Sequence, residues 1–320
     1  MSRTSLERHQ ALIYLAAIGS GLLIGWRALF PLRALEFLLW PLLALLLYTV
    51  FTQIPLLHTR DAFTDRRFLQ AAIIGNFVII PVLLWGTLRI LPDDPAIRLG
   101  VLLVLLVPCT DWFITFTHLG GGKTAYAIAF APVSLLLQIG LLPLYLWLIS
   151  GQTVQMTFAS ADILLAFGGT IALPLLAAFV TEAVAQRVPR WQRLPERLAW
   201  LPVPLLALVV FLITVTQVNL ITASLAILGQ LSLVFGGFLI CALALARLLT
   251  SVFLLLPSEG RVLAFSFGTR NSFMVLPLAL ALPSSYELAV VVIVFQSLVE
   301  LCGMIVFLSV VPRLFPVGKQ

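Results

Sequence analysis

Val107-Pro108-Cys109-Thr110-Asp111 and Phe267-Gly268-Thr269-Arg270-Asn271 interrupt two long apolar runs, and how these breaks are read decides the fold. Pro108 removes one backbone N–H and blocks normal bonding to the carbonyl of Val104. Gly268 weakens a helix at the corresponding place. A shift of about 160 residues lays Pro108 on Gly268 and Asp111 on Asn271. Freed backbone groups are costly in lipid and persist only where they face protein or a polar cavity. Two matched, Gly/Pro-interrupted spans therefore point to a transporter whose site lies where the broken helices cross. Thr110 with Asp111, and Thr269 with Asn271, are expected to cap the second halves of these helices.

The surrounding composition agrees with a membrane setting. Of 320 residues, 61% are hydrophobic and 10% charged, against roughly 45–50% and about 25% in soluble domains. The mean hydropathy is +1.12. A spanning helix needs roughly 20 apolar residues, so the chain has enough for about ten. A soluble enzyme, a disordered chain and a singly anchored peripheral protein are excluded. The +6 net charge forms no basic stripe with interleaved aromatics, so nucleic acid is not an expected partner.

Apolar periodicity and Pro/Gly breaks predict spans at about 10–26, 35–54, 68–90, 97–118, 124–149, 161–185, 199–217, 227–250, 261–282 and 286–311. The first run mimics a signal-peptide core, but a retained first helix is expected. No connection is long enough for a soluble domain, so residues 1–320 read as one transporter unit. Ten spans divide into helices 1–5 (residues 10–149) and helices 6–10 (residues 161–311). Because five is odd, the two sets are inverted repeats, and spans 4 and 9 are their broken, crossing members. The fold class is an all-α integral membrane protein.

With a cytoplasmic N-terminus, Arg3, Arg8, Arg60, Arg66, Arg67, Lys123, Arg187, Arg190, Arg193, Arg197, Arg247, Arg261, Arg313 and Lys319 all fall inside. Arg27, Arg33, Arg89 and Arg98 fall outside. This bias places both termini in the cytoplasm of a multi-pass inner (plasma) membrane protein.

Ionisable groups deep in a span are functional candidates by default, and here they are Asp111, Arg270 and Glu300. Asp111 suits the positive end of a half-helix; Arg270, at the matching end, needs a partner. Either the two form an ion pair, or Arg270 meets an anionic or hydroxyl-rich substrate. Glu300 is placed to carry protons, with Asp111 as a second acid. Cys109, directly after the break proline, offers a soft thiol to a thiophilic solute. Cys241 and Cys302 lie in plain apolar runs and read as packing residues. Thr110, Thr269 and Asn271 complete the candidate substrate site; Asn76, Gln138, Gln296 and Ser297 are candidates to line its cavity. Asp162, Glu182 and Arg247 sit near span ends and read as interfacial anchors.

Two other signals carry no chemistry. Gly120-Gly121-Gly122-Lys123-Thr124 imitates the end of a phosphate-binding loop, but position 117 is threonine and no strand precedes it, so it is a turn. His9, His58 and His118 form no metal-ligand set, and no nucleophile elbow is present. Neither enzymatic activity nor a resident metal or cofactor is expected.

These residues resemble the bile acid/sodium symporter superfamily, and within it the yeast-type arsenite permeases and their bacterial arsenic-resistance relatives. The likeness is carried by Val107-Pro108-Cys109-Thr110, Gly268-Thr269-Arg270-Asn271-Ser272-Phe273 and Leu298-Val299-Glu300. It implies export of arsenite or a related trivalent metalloid driven by the proton gradient, with Cys109 in the position of the family's essential cysteine and H+ rather than Na+ as coupling ion. The family's glutamate shortly after the span-9 asparagine is absent from Asn271-Ser272-Phe273-Met274-Val275, leaving Glu300 or Asp111 to supply the acid. The alternatives are a sodium- or proton-coupled carrier of a small organic anion recognised by Arg270, and a membrane scaffold or receptor that moves nothing.

Overall fold

A computed structural model describes residues 10–27, 32–54, 65–149 and 165–317. Arg3, Arg8, His9, His58, Arg60, Asp162, Lys319 and the expected start of the sixth span at 161 lie outside the described residues. The architecture is all-helical: α1 (Gln10–Trp26), α2 (Leu32–Phe51), α3 (Arg66–Thr87), α4 (Pro95–Leu106), α5 (Trp112–Leu119), α6 (Thr124–Ile149), α7 (Leu165–Arg187), α8 (Pro202–Thr216), α9 (Leu225–Val252), α10 (Pro257–Gly268), α11 (Ser272–Leu280) and α12 (Glu287–Leu314). Among the described residues, α3, α6, α7, α9 and the helix ending at Leu314 are long and apolar enough to cross a bilayer. Pro189–Leu198 with α8, bent by 42°, makes a sixth if the pair is one span. The chain is a multi-pass membrane protein.

Both predicted interruptions are present. Span 4 divides into α4 and α5, and span 9 into α10 and α11. Proline alone does not account for this. Pro132 and Pro143 lie inside the continuous α6, and Pro41 lies inside α2. In α3 a π-helical turn at Gly75–Ile79 precedes Pro81. Pro81 cannot bond the carbonyl of Phe77, and the Tyr145 hydroxyl of α6 donates to that carbonyl instead.

The helices pack as two groups. In one, α8 lies against α1 and α2, and α7 lies against α2. Gly21 and Gly25 of α1 let α8 approach closely, since a Cβ on them would stand 2.9 Å from the Phe211 carbonyl and 2.7 Å from that of Val215. In the other group α9 packs on α10, and α12 on α4, α9 and α11. Both breaks belong to this second group. The groups meet along α11 against α2 and α12 against α1. Tyr14 and Trp112, with ring centroids 6.0 Å apart, add an aromatic contact across the seam.

The glycine-rich signal is a turn between α5 and α6, as read from sequence. Gly121 has φ +68°, a conformation glycine adopts without strain. Arg261 donates to the carbonyls of Gly120 and Gly121, and to that of Phe315 beyond α12. Arg247 donates to the Leu314 carbonyl at 2.7 Å, fastening α9 to the end of α12 as an end-of-span residue should.

Candidate functional site at the crossing of two broken helices

The two breaks meet as a short antiparallel bridge between Pro108 and Arg270. The Cys109 N–H donates to the Thr269 carbonyl at 3.2 Å, and the Asn271 N–H donates to the Val107 carbonyl at 2.8 Å. In an antiparallel pair, residues between the two bonds need no mutual N–H···O contact. Pro108 occupies such a position, so its missing N–H costs the bridge nothing. Val107 and Thr269, which end α4 and α10, are both extended, with φ −106° and −104°. Each break therefore satisfies one N–H and one carbonyl of the other.

The bonds join Cys109 to Thr269 and Val107 to Asn271, so Pro108 faces Arg270 across the bridge. Gly268 is the last residue of α10, and packing requires it there. A Cβ would stand 2.7 Å from Phe307 Cε2 and 2.9 Å from Met304 Cε. Gly268→Val should push α12 away and cost about 1–3 kcal/mol, read as a lower melting temperature in detergent. A melting temperature equal to wild type would show that α12 yields without penalty.

The expected caps hold on one side only. Asn271 accepts from the Met274 N–H at 3.2 Å and so caps α11. Its amide also donates to Thr110 Oγ1 at 3.3 Å, tying the two breaks side chain to side chain. Asp111 stands at the start of α5 but makes no capping bond there; its carboxylate instead accepts from the Cys109 thiol at 3.0 Å. Thr269 turns back, its hydroxyl donating to the Phe265 carbonyl of α10.

Arg270 is 2% exposed, and its guanidinium is held by backbone carbonyls and Asn76. Nη1 donates to the Leu105 carbonyl at 3.3 Å; Nη2 donates to Phe267 O at 2.6 Å, Asn76 Oδ1 at 3.1 Å and Ser266 O at 3.4 Å. Leu105, Ser266 and Phe267 are in the last turns of α4 and α10, the negative ends of those helix dipoles. The cation that seemed misplaced at the start of α11 has folded back to the two helix ends that favour it. The Phe238 ring stands 5.2 Å from its carbon centre.

Glu300, 1% exposed on α12, binds the backbone of the same residue. Its Oε2 accepts from the Arg270 N–H at 2.9 Å and from Gln296 Nε2 at 2.8 Å, while Gln296 Oε1 accepts from Ser272 at 2.9 Å. Among the described residues, no hydrogen bond reaches the buried Glu300 Oε1. The structure thus gathers Cys109, Thr110, Asp111, Thr269, Arg270, Asn271, Gln296 and Glu300 around one crossing.

Two cavities lie at the seam between the helix groups. One, of about 320 Å³, is lined by Thr110, Asp111, Trp112 and Thr115 of the broken helix and by Gln10, Gln53, Ala199 and Val203 across from it. The other, of about 200 Å³, is lined by Leu39, Trp40 and Gln217 on one side and by Leu280 and Glu287 on the other. The first lies where α1 and α8 begin and the second where α8 ends.

The expected lining residues are placed differently. Asn76 and Gln296 are buried members of the network, Ser297 bonds to Val294 of its own helix, and Gln138 is buried on α6. None of these four lines the larger cavity. Asn76 earns its position through the π-helical turn of α3, which carries it to Ser266 and Arg270. Ser266, Ser272, Gln10 and Gln53 were not singled out from sequence. Ser266 and Ser272 flank the break by four and two residues from Arg270, a spacing that could have signalled them. Cys241 and Cys302 are exposed on the helix surface rather than packed inside the protein, and no cluster of metal-ligating side chains occurs among the described residues.

Residues 40–224 match the model of the sodium bile acid symporter family. The chain belongs to that family. The match covers more than half of the 320 residues and includes the first break. A sodium bile acid symporter family protein is a membrane transporter of a small solute with a coupling ion, which accords with two cavities flanking a crossing. No curated protein matches the chain by sequence.

Proposed function

We propose that this family member exports arsenite, or a related trivalent metalloid, by alternating access. The observation that carries the reading is the Cys109 thiol. It sits at the crossing, 2% exposed, and donates to Asp111, whose carboxylate borders the larger cavity. A soft thiol beside the cavity is a fitting ligand for a thiophilic centre. The solute would enter beside Thr110 and Asp111. As the two helix groups shift against each other, the seam would close there and open at the 200 Å³ cavity. Glu300, and Asp111 with it, would carry the coupling proton.

The same reading takes the described helices as ten passes, counting the short apolar α1, α2 and α4 and treating α4–α5 and α10–α11 as single broken passes. Residues 10–149 and 161–311 would then be inverted repeats, supported by the reciprocal bonds of the two breaks. The basic residues favour cytoplasmic termini in the plasma membrane, so the larger cavity faces inward. Recognition of an organic anion by Arg270 loses support, because its guanidinium is held by carbonyls and Asn76.

The test is arsenite tolerance and accumulation in a cell lacking its own arsenite exporters. Expression should raise tolerance and lower accumulation, and collapse of the proton gradient should remove both effects. Equal export with the gradient collapsed would refute the coupling, and unchanged tolerance on expression would refute the substrate.

A further inference from the structure

The oxygen atoms around the Arg270 guanidinium form a cation site in their own right. The Leu105, Ser266 and Phe267 carbonyls and Asn76 Oδ1 come from three helices and meet one buried positive group. Three of them surround the single nitrogen Nη2, at 2.6–3.4 Å. Carbonyls at half-helix C-terminal ends are what a transporter uses to coordinate Na+. Here two such ends converge, each bearing roughly half a negative charge. Left without a cation, they would repel each other in a buried setting. Neutral or carboxylate oxygens with no competing donor are also the ligands that a hard cation selects.

We propose that Arg270 is a tethered cation: its guanidinium fills the oxygen site at which a free coupling sodium would otherwise bind, so this chain works without sodium there. The inference rests on family membership and not on the arsenite reading. The positive charge that balances the α4 and α10 ends and faces Glu300 is then permanent. It cannot dissociate during the cycle, so it cannot link solute movement to a sodium gradient at this position. Coupling must come from a group that can release its ion. Removing the side chain should uncover the site. The Arg270→Ala chain keeps the three carbonyls and Asn76 and leaves a space the size of the guanidinium for a small cation.

The experiment is thermal melting of the full-length protein in detergent, titrated with NaCl against choline chloride at constant ionic strength, for wild type, Arg270→Ala and Arg270→Lys. Wild type should melt at the same temperature in both salts. Arg270→Ala should melt lower in choline and recover saturably with Na+, since a ligand that binds only the folded state stabilises it by mass action. Arg270→Lys carries its own cation and should fold and ignore Na+. Saturable stabilisation of wild type by Na+ would overturn the proposal. So would an Arg270→Ala protein that melts identically in both salts or fails to fold in either, and so would failure of Arg270→Lys to fold, which would show a need for the guanidinium shape and not for a charge. No flux is measured, so failure of arsenite export would leave the result intact, and the two ideas fail separately.

Discussion

Cys109→Ala should return the arsenite tolerance of an exporter-deficient cell to that of cells without the protein, with intracellular arsenic rising to match. The substitution removes the soft ligand and the thiol donor to Asp111. It leaves the bridge unchanged, because residue 109 enters that through its backbone N–H to Thr269. Loss of one such side-chain bond costs about 1 kcal/mol, so the variant should still reach the membrane, and immunoblotting of membranes checks this. Cys241→Ala and Cys302→Ala, at exposed positions on α9 and α12, should leave tolerance intact. A Cys109→Ala cell as tolerant as wild type would end the thiol assignment. Cys109→Ser separates hydrogen bonding from softness. Its hydroxyl can still donate to Asp111 but is a poor ligand for a thiophilic centre, so it too should fail.

Glu300 offers the second large effect, in the form of a split between two variants. Glu300→Gln retains an oxygen that can accept from the Arg270 N–H and from Gln296, the two bonds that Glu300 Oε2 makes. It removes the charge facing Arg270 and the capacity to carry a proton. The protein should fold, and transport driven by the proton gradient should be lost. Glu300→Ala also orphans both donors in a buried site, at about 1–3 kcal/mol each. It should melt well below Glu300→Gln. If Glu300→Gln exports at the wild-type rate and remains sensitive to the gradient, Glu300 is a structural acceptor and the proton moves elsewhere, with Asp111 next to be tested. Equal melting of Glu300→Ala and wild type would show that the 2.8 and 2.9 Å bonds contribute little.

The positions of the two breaks, and the small set of polar residues beside them, were legible in the chain because each is an exception in an otherwise apolar run. Cys109, Arg270, Asn271 and Glu300 stand out on that ground, and all four meet at the crossing. Pairing Gly268 with Pro108 was a natural reading of two helix-weakening residues. The structure adds a packing role for that glycine, the approach of Phe307 and Met304, a contact that local sequence does not encode. The direction of the Arg270 side chain was hidden for a related reason. A side chain of that length reaches backward to the ends of α4 and α10 as readily as forward, and only the convergence of those ends makes the backward path favourable.

Asn76 shows the same limit from another side. On an ideal helix, its neighbours four residues away would set its direction. The π-helical turn ahead of Pro81, with Tyr145 answering the Phe77 carbonyl, is what accompanies its placement against Ser266 and Arg270. The grouping of helices was hidden as well. Spans that are apolar all round carry little amphipathic signal, so no periodicity tells α8 to pack on α1 and α2. The small residues Gly21 and Gly25 were the available clue, and they mark an α1 face that receives α8.

By itself, then, the sequence determined a membrane-embedded, all-helical chain with two interrupted helices and a few buried ionisable groups. Hydropathy, proline and glycine act locally, and the bilayer forbids unpaired backbone, so those features follow from composition and position alone. Tertiary structure alone decided the facing of Pro108 and Arg270 in the bridge, the turning of Arg270 into a ring of oxygens, the thiol–carboxylate contact of Cys109 with Asp111, and the two cavities at the seam. Each depends on groups brought together from distant helices, where the partner that satisfies a buried donor or charge is chosen by packing rather than by chain neighbours.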